Sequence, residues 1–317
     1  MASDDAADHP PIHVIVTCSN RKTIAVPDDL RLGHLRQQGS DERFNTWTER
    51  LSAATVPRVL AHDLYAGEHW HVARQLPTRL SRPASLWICS AGYGLIAANS
   101  AIAPYAATFA AGELDSVGST PAEMRAWWNR LTTWRRLELS QPRSIADLAS
   151  REPGATIIAV LSEAYMRACA DDLRRAADHL NNQEQLMVIG PPGRCADIED
   201  LIVPVTANLR PLVGGSLQAL NVRVAARLLE AAANELSRAT LRKHAEQATS
   251  SAPPDHSRRL GGQRLTDDEV RSYIRDRLAA GPGSATGLLR LLRQSGQSCE
   301  QARFGLLFTE VAAEVRR

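Results

Sequence analysis

The sequence predicts an α/β fold, a mostly parallel sheet with helices on both faces, followed by a small all-helical unit. Three observations predict it. Short apolar runs rich in β-branched residues alternate with helix-length amphipathic stretches over residues 12–246, as in strands joined by helical crossovers. The runs lack in–out alternation, as strands covered on both faces do. A Ser-, Pro- and Gly-bearing stretch over 247–264 then precedes a piece with its own helix signals. The expected organisation is a disordered tail over 1–11, an α/β domain over 12–246, a linker over 247–264 and a helical domain over 265–317.

Each element has its own reason. Residues 12–17 (IHVIVT) read as a buried strand that breaks into the polar turn Cys18-Ser19-Asn20-Arg21-Lys22. Residues 41–54 read as a helix, 57–62 as a second short strand, and 67–80 as a helix with Trp70, Ala73 and Leu76 on one face. A third strand, 85–90, ends in Ala91-Gly92-Tyr93-Gly94, and 97–119 reads as a long loop. Ser119 or Thr120 caps a helix with Pro121 in its first turn. Residues 155–161, 186–189 and 201–205 supply further strands, and 164–180 a helix. Gly214-Gly215-Ser216 opens a long helix to about residue 244. Beyond the linker, Thr266 and Glu269 form a capping box, Gly281-Pro282-Gly283 breaks the helix, and 284–294 and 299–315 follow around a glycine-bearing turn. That is the pattern of a helix-turn-helix unit.

Composition excludes several classes of function. Of 37 basic residues only Lys22 and Lys243 are lysine, so a lysine nucleophile would be one of these two. The five cysteines are scattered without a CxxC pair, which argues against a disulfide framework or zinc ribbon and fits a reducing compartment. The N-terminal residues are polar and acidic, unlike a signal peptide. No apolar run reaches the length of a membrane span. A soluble cytoplasmic protein is expected. Residues 257–317 carry eleven arginines against seven acidic residues, which points to an anionic partner for that piece.

Ligands of open α/β sheets bind beyond the carboxyl ends of the strands, so the loops after the first three strands are the place to look. In the first, Asn20 is suited to orient a water or read a base edge, and Arg21 and Lys22 to hold phosphate; the alternative is an exposed turn. The second carries Asp63, Tyr65 and Glu68, with Asp63 a general base or charge stabiliser or simply a helix cap. His69 and His71 point to different faces of a helix and have no third ligand at a recognisable spacing, so no metal is expected. The third carries Ser90, Gly92, Tyr93, Tyr105 and Asp115. Tyr93 and Tyr105 are suited to sandwich a planar base, and the alternative is a packed structural loop. Neither GxGxxG nor a P-loop is present, and no cofactor is expected. The amides of Gly214, Gly215 and Ser216 are suited to phosphate or to ordinary capping. Glu300, Gln301 and Arg303 open the last helix, where base-edge contacts are usual; a protein-binding helical bundle is the alternative.

Together, Cys-Ser-Asn-Arg-Lys, Asp-Leu-Tyr-x-Gly-Glu, Ser-Ala-Gly-Tyr-Gly-Leu-Ile and Pro-Tyr-x-Ala-Thr-Phe followed by Asp-Ser-Val resemble a bacterial family found near nucleic-acid-modification and phage-defence genes. Its core is similar to the uracil-DNA-glycosylase-like fold and to the core of archaeosine synthase. Within that group the chain most resembles phage-defence DNA glycosylases that remove modified cytosine bases. The resemblance spans roughly residues 12–235. It implies a pocket in which Asp115, Asn20 and Asp63 are catalytic. Cys18, Ser19, Tyr65, Glu68, Ser90, Gly92, Tyr93 and Tyr105 would bind substrate, and Arg21, Lys22, Gly214, Gly215 and Ser216 would hold double-stranded DNA, joined by Gln301 and Arg303 of the C-terminal unit, which lies outside the resemblance and is read from its helix-turn-helix pattern and basic charge. The GQDPYH and HPSPLS loops of the uracil enzymes are absent, and Asn20 stands where many of them carry aspartate. The expected activity is monofunctional removal of a modified cytosine, such as a glucosylated hydroxymethylcytosine, from phage DNA, leaving an abasic site. The alternatives are a DNA-binding regulator with a nucleotide-sensing α/β domain, and an enzyme of tRNA bases or nucleosides.

Overall fold

A computed structural model of the chain describes residues 9–134, 141–232, 235–252, 263–281 and 283–315. The expected tail over 1–11 and the linker over 247–264 fall largely outside these residues. The chain divides into two compact units between Pro253 and Pro254.

In the first unit the apolar runs become strands because only burial on both faces accommodates them. β1 (Ile12–Thr17) is buried at all six residues. It pairs in parallel with β2 (Ala84–Ser90) on one side. β2 turns through residues 91–93 into the antiparallel β3 (Gly94–Ala97). β4 (Thr156–Val160) pairs in parallel with the other side of β1. β5 (Leu186–Gly190) and β6 (Ile202–Pro204) extend that side, also in parallel. The resulting order, β3-β2-β1-β4-β5-β6, means that the chain winds outward from β1 in one direction and then crosses to the other. The reversal leaves a crevice between the carboxyl ends of β1 and β4.

Around the sheet lie α1 (Ser40–Ala53), α2 (Glu68–Ala73), α3 (Pro121–Thr133), α4 (Ile145–Arg151), α5 (Glu163–Ala168), α6 (Ala170–His179), α7 (Leu220–Ala232) and α8 (Arg238–Ser251). Thr120 is the cap of α3, its side chain accepting from the Glu123 amide. The indole N–H groups of Trp127 and Trp47 donate to the carbonyls of Ala91 and Gly92 at 2.8 and 3.1 Å, which pins the β2–β3 turn into the core. A Cβ on Gly92 would lie 2.6 Å from the Tyr105 ring, so this glycine is needed for close packing.

Several expected elements differ. The second strand shrinks to Val59–Leu60, which pairs antiparallel with Ala101–Ile102 outside the main sheet, because Ala61–Leu64 turns helical directly after it. The helix over 67–80 stops at Ala73 and resumes as a 3₁₀ turn, Leu76–Arg79; Pro77 has no amide with which to continue an α-helix. The residues before the expected loop form β3, which starts at Gly94 with φ +77, and the loop over 97–119 itself contains the two-residue strand Ala101–Ile102. The helix over 164–180 breaks at buried Cys169. The long helix from 214 is instead a 3₁₀ turn (Leu217–Ala219) followed by α7 and α8; Ser237 starts α8 afresh by accepting from the Thr240 amide. α8 then runs to Ser251, into the stretch expected to be linker.

The second unit has α9 (Asp267–Ala279), α10 (Ala285–Gln294) and α11 (Gln301–Val315) around a core that includes Val270, Ile274, Leu289, Leu292, Phe304 and Val311. The Thr266–Glu269 capping box opens α9. A two-residue parallel ladder joins Gln263–Arg264 to Gln297–Ser298, an element without a sequence signal of its own. Among the described residues no helix is long and apolar enough to cross a membrane.

Candidate active site

The first loop of the site is built by pairing two sequence motifs. After Thr17 the Cys18 amide still donates to the Cys89 carbonyl at 3.0 Å, and the chain then leaves the sheet. Ser19 Oγ donates to the Ala66 carbonyl at 2.7 Å and accepts the Arg21 amide at 3.2 Å. Lys22 and Tyr65 form an antiparallel bridge. The Cys-Ser-Asn-Arg-Lys turn is therefore held against the Tyr65–Gly67 segment, and both face the crevice beside β4.

The crevice is a cleft of ≈ 570 Å³. Its walls are Thr17–Arg21 after β1, Ala66–His69 at the start of α2, and Val160–Ser162 with Tyr165 after β4. Asn221 closes it from α7, its Nδ2 donating to the Leu161 carbonyl at 2.7 Å. A second cavity of ≈ 400 Å³ is lined by Asn20, Lys22, Val26, Arg31, Thr108 and Asp115, among others. Asn20 and Thr108 line both.

Asp115 is anchored where it lines the smaller cavity: Oδ1 accepts the Gly33 amide at 2.8 Å. Lys22 enters the same cavity. Its Nζ donates to the Ser19 carbonyl and lies 4.9 and 4.8 Å from the ring centroids of Tyr65 and Tyr105. Burial pushes its ammonium pKa below the ordinary lysine value, and its electrostatic interactions with neighbouring Cys18 and with the Asp115 carboxylate pull it back up. This lysine was expected to hold phosphate, but its head group is turned inward onto two aromatic faces.

Other expected site residues also move. Tyr105 and Tyr93 are 0% and 4% exposed and line neither cavity, so they offer no stacking surface. Tyr105 Oη instead shares a buried hydroxyl cluster with Tyr65 Oη (2.9 Å) and Ser90 Oγ (2.6 Å), and Ser90 accepts the Gly92 and Tyr93 amides. Tyr65, Ser90, Tyr93 and Tyr105 are buried, and with Gly92 they form a hydrogen-bonded cluster of the core. Asp63 is exposed, pairs with His62 at 3.2 Å and lines neither cavity. Glu68 borders the cleft but is committed elsewhere: it accepts the Ser216 amide and pairs with Arg223 at 2.9 Å. The Ser216 hydrogen bonds, chiefly, hold its carboxyl below the usual range. The Gly214 amide donates to Arg210. The 214–216 corner is thus occupied by the protein's own groups and is no open phosphate site.

In the second unit, Arg303 Nε donates to Asp267 at 2.6 Å and Nη1 to the Leu265 carbonyl at 3.1 Å, so it ties α11 to the start of α9. Gln301 is exposed at the start of α11.

The structure adds residues that sequence reasoning missed. His69 Nε2 lies 3.1 Å from Thr17 Oγ1 and 3.2 Å from the Thr17 carbonyl. Tyr165 Oη meets Cys18 Sγ at 3.0 Å. Ser162 and Thr108 complete the lining. The strand-end rule pointed to the loops of the first three expected strands, whereas the crevice uses the loop after β4; the signal was present in the 161–165 segment. Among the described residues no group of three or more His, Cys, Asp or Glu is placed to hold a metal ion.

Burial depresses the pKa of His69 against its hydrogen bonds to the Thr17 and Gln218 backbone. Burial likewise depresses that of His13, whose Nδ1 accepts from the Trp87 indole and whose Nε2 meets Glu152. Unfolding restores the ordinary value of 6.5, so the unfolded chain binds more protons below it. The stability these neutral imidazoles allow is complete above pH 6.5 and is lost as pH falls toward their folded-state pKa values. The unfolding temperature should therefore drop on acidification through this range, and less steeply in His69→Gln; equal slopes for the two proteins would exclude His69 from the effect.

Compared with protein-family models, curated proteins and solved structures, the chain matches none.

Proposed function

We propose that the chain is a monofunctional DNA N-glycosylase that removes a modified cytosine base from phage DNA in antiviral defence. The observation that carries this reading is the convergence of Asn20, Thr108 and the anchored carboxylate Asp115 on one cavity beside the crevice of the open sheet. The motif resemblance to uracil-DNA-glycosylase-like enzymes supports it.

In this reading the target nucleotide leaves the helical stack. Its base occupies the ≈ 400 Å³ cavity, and its sugar and flanking phosphates lie in the adjoining cleft beside Arg21. Breaking the N-glycosidic bond develops positive charge on the sugar. The Asp115 carboxylate stabilises it from a fixed position, where electrostatic catalysis is strongest. The Asn20 side-chain amide orients the water that adds to the sugar. Arg21 and the basic C-terminal unit hold the phosphates, a contribution that weakens with salt.

The reading predicts that duplex DNA carrying the modified base becomes alkali-labile on incubation with the protein while remaining unnicked before alkali. Strand breaks without alkali would contradict the monofunctional assignment. Sequence-specific DNA binding with intact bases would favour a regulator instead.

A further inference from the structure

Lys22 has no role in the chemistry described above, yet its environment is the most specialised in the site. Lys22 is half-buried at the cavity wall. It is held by the Ser19 carbonyl and by the faces of two tyrosines, whose attraction is for a cation. Burial keeps the hydroxyls of Tyr65 and Tyr105 un-ionised, so the rings act as neutral π faces. Asp115 is the carboxylate that acts on Lys22 at this cavity, and Arg31 and Glu113 line it too. A phosphate reader would project outward; this amine stays at the cavity wall, turned onto the Tyr65 and Tyr105 rings.

We infer that Lys22 is the general acid for the departing base. The inference rests on the glycosylase reading. As the bond between sugar carbon and base nitrogen breaks, its electron pair goes to the base. Lys22 Nζ gives one proton to the base and becomes a neutral amine. Water adds to the sugar carbon, and its surplus proton passes to Asp115. Solvent then returns a proton to Lys22 and removes one from Asp115. The net change is addition of one water across the bond. Asp115 and Lys22, which both line the cavity that takes the base, thus serve opposite charges, the cationic sugar at its junction with the cleft and the anionic leaving group within it. An acid is most effective when its pKa approaches the working pH, and burial moves Lys22 in that direction.

The test is single-turnover base release from modified duplex DNA as a function of pH, for wild type, Lys22→Met and Lys22→Ala with and without ethylammonium. Wild type should lose activity on the alkaline side with a midpoint below the ordinary lysine value of 10.5. Lys22→Met should be slower by about 10²–10⁴ and lack that limb. Ethylammonium should restore part of the Lys22→Ala rate, which a merely misfolded variant would not allow. DNA binding should persist in both variants. Lys22→Met releasing base within about threefold of wild type, with the same alkaline limb, would overturn the assignment. So would a covalent DNA adduct on Lys22 trapped by borohydride, since the amine would then be a nucleophile. Wild type releasing no base from any DNA would remove the glycosylase reading itself and this role with it. Normal release by Lys22→Met would remove Lys22 alone.

Discussion

Asp115→Asn should slow base release by about 10²–10³ while leaving DNA affinity within about twofold. The substitution separates two jobs of one side chain. The Asn Oδ1 can still accept the Gly33 amide, which Asp115 accepts at 2.8 Å, so the loop keeps its anchor. The negative charge, which the mechanism needs opposite the developing positive sugar, is gone. Asp115→Ala removes both and should be as slow or slower, with a weakened loop. Full activity of Asp115→Asn would remove the carboxylate from the chemistry.

The second large effect concerns stability. Asp172 is 0% exposed. Its carboxylate accepts the Ile145 and Ala146 amides at 2.9 and 3.1 Å and the Trp128 indole at 3.1 Å. One side chain on α6 thereby satisfies the start of α4 and fixes α3. Asp172→Ala would leave three buried donors without a partner and should cost about 3–5 kcal/mol. All six tryptophans precede residue 135, so their fluorescence reports the α/β unit alone. In urea the midpoint should fall with little change in slope. An unchanged midpoint would show that water replaces the carboxylate without loss.

The parallel sheet was legible because apolar runs such as 12–17 and 155–161 admit few other structures. β3 was not, because Gly94 reads as turn and the four-residue strand that it begins is too short to signal itself. The strand-end rule pointed to the turn after the first strand, and Asn20 and Arg21 of that turn line the cleft. It gave too much weight to Asp63, because the segment before Asp63 is no strand of the main sheet. Tyr93 and Tyr105 illustrate a general difficulty. An aromatic beside a glycine turn has the same sequence signature whether it stacks on a ligand or on a neighbouring ring, and here it packs within the core at 5.2 Å between centroids. The role of Glu68 depends on Ser216 and Arg223, about 150 residues away along the chain, and no local pattern carries such a partnership. His69 was weighed only as a metal ligand; its contact with Thr17 requires knowing that α2 packs across the end of β1.

The proposed reaction is release of a base from DNA at this site. Mass spectrometry of the small molecules released when the protein is incubated with unmodified, hydroxymethylated and glucosylated phage DNA tests it most directly. Free modified cytosine is expected from a modified DNA and none from unmodified DNA, with release slowed by about 10²–10³ in Asp115→Asn. No free base from any of the three, under conditions where the protein binds the DNA, would contradict it.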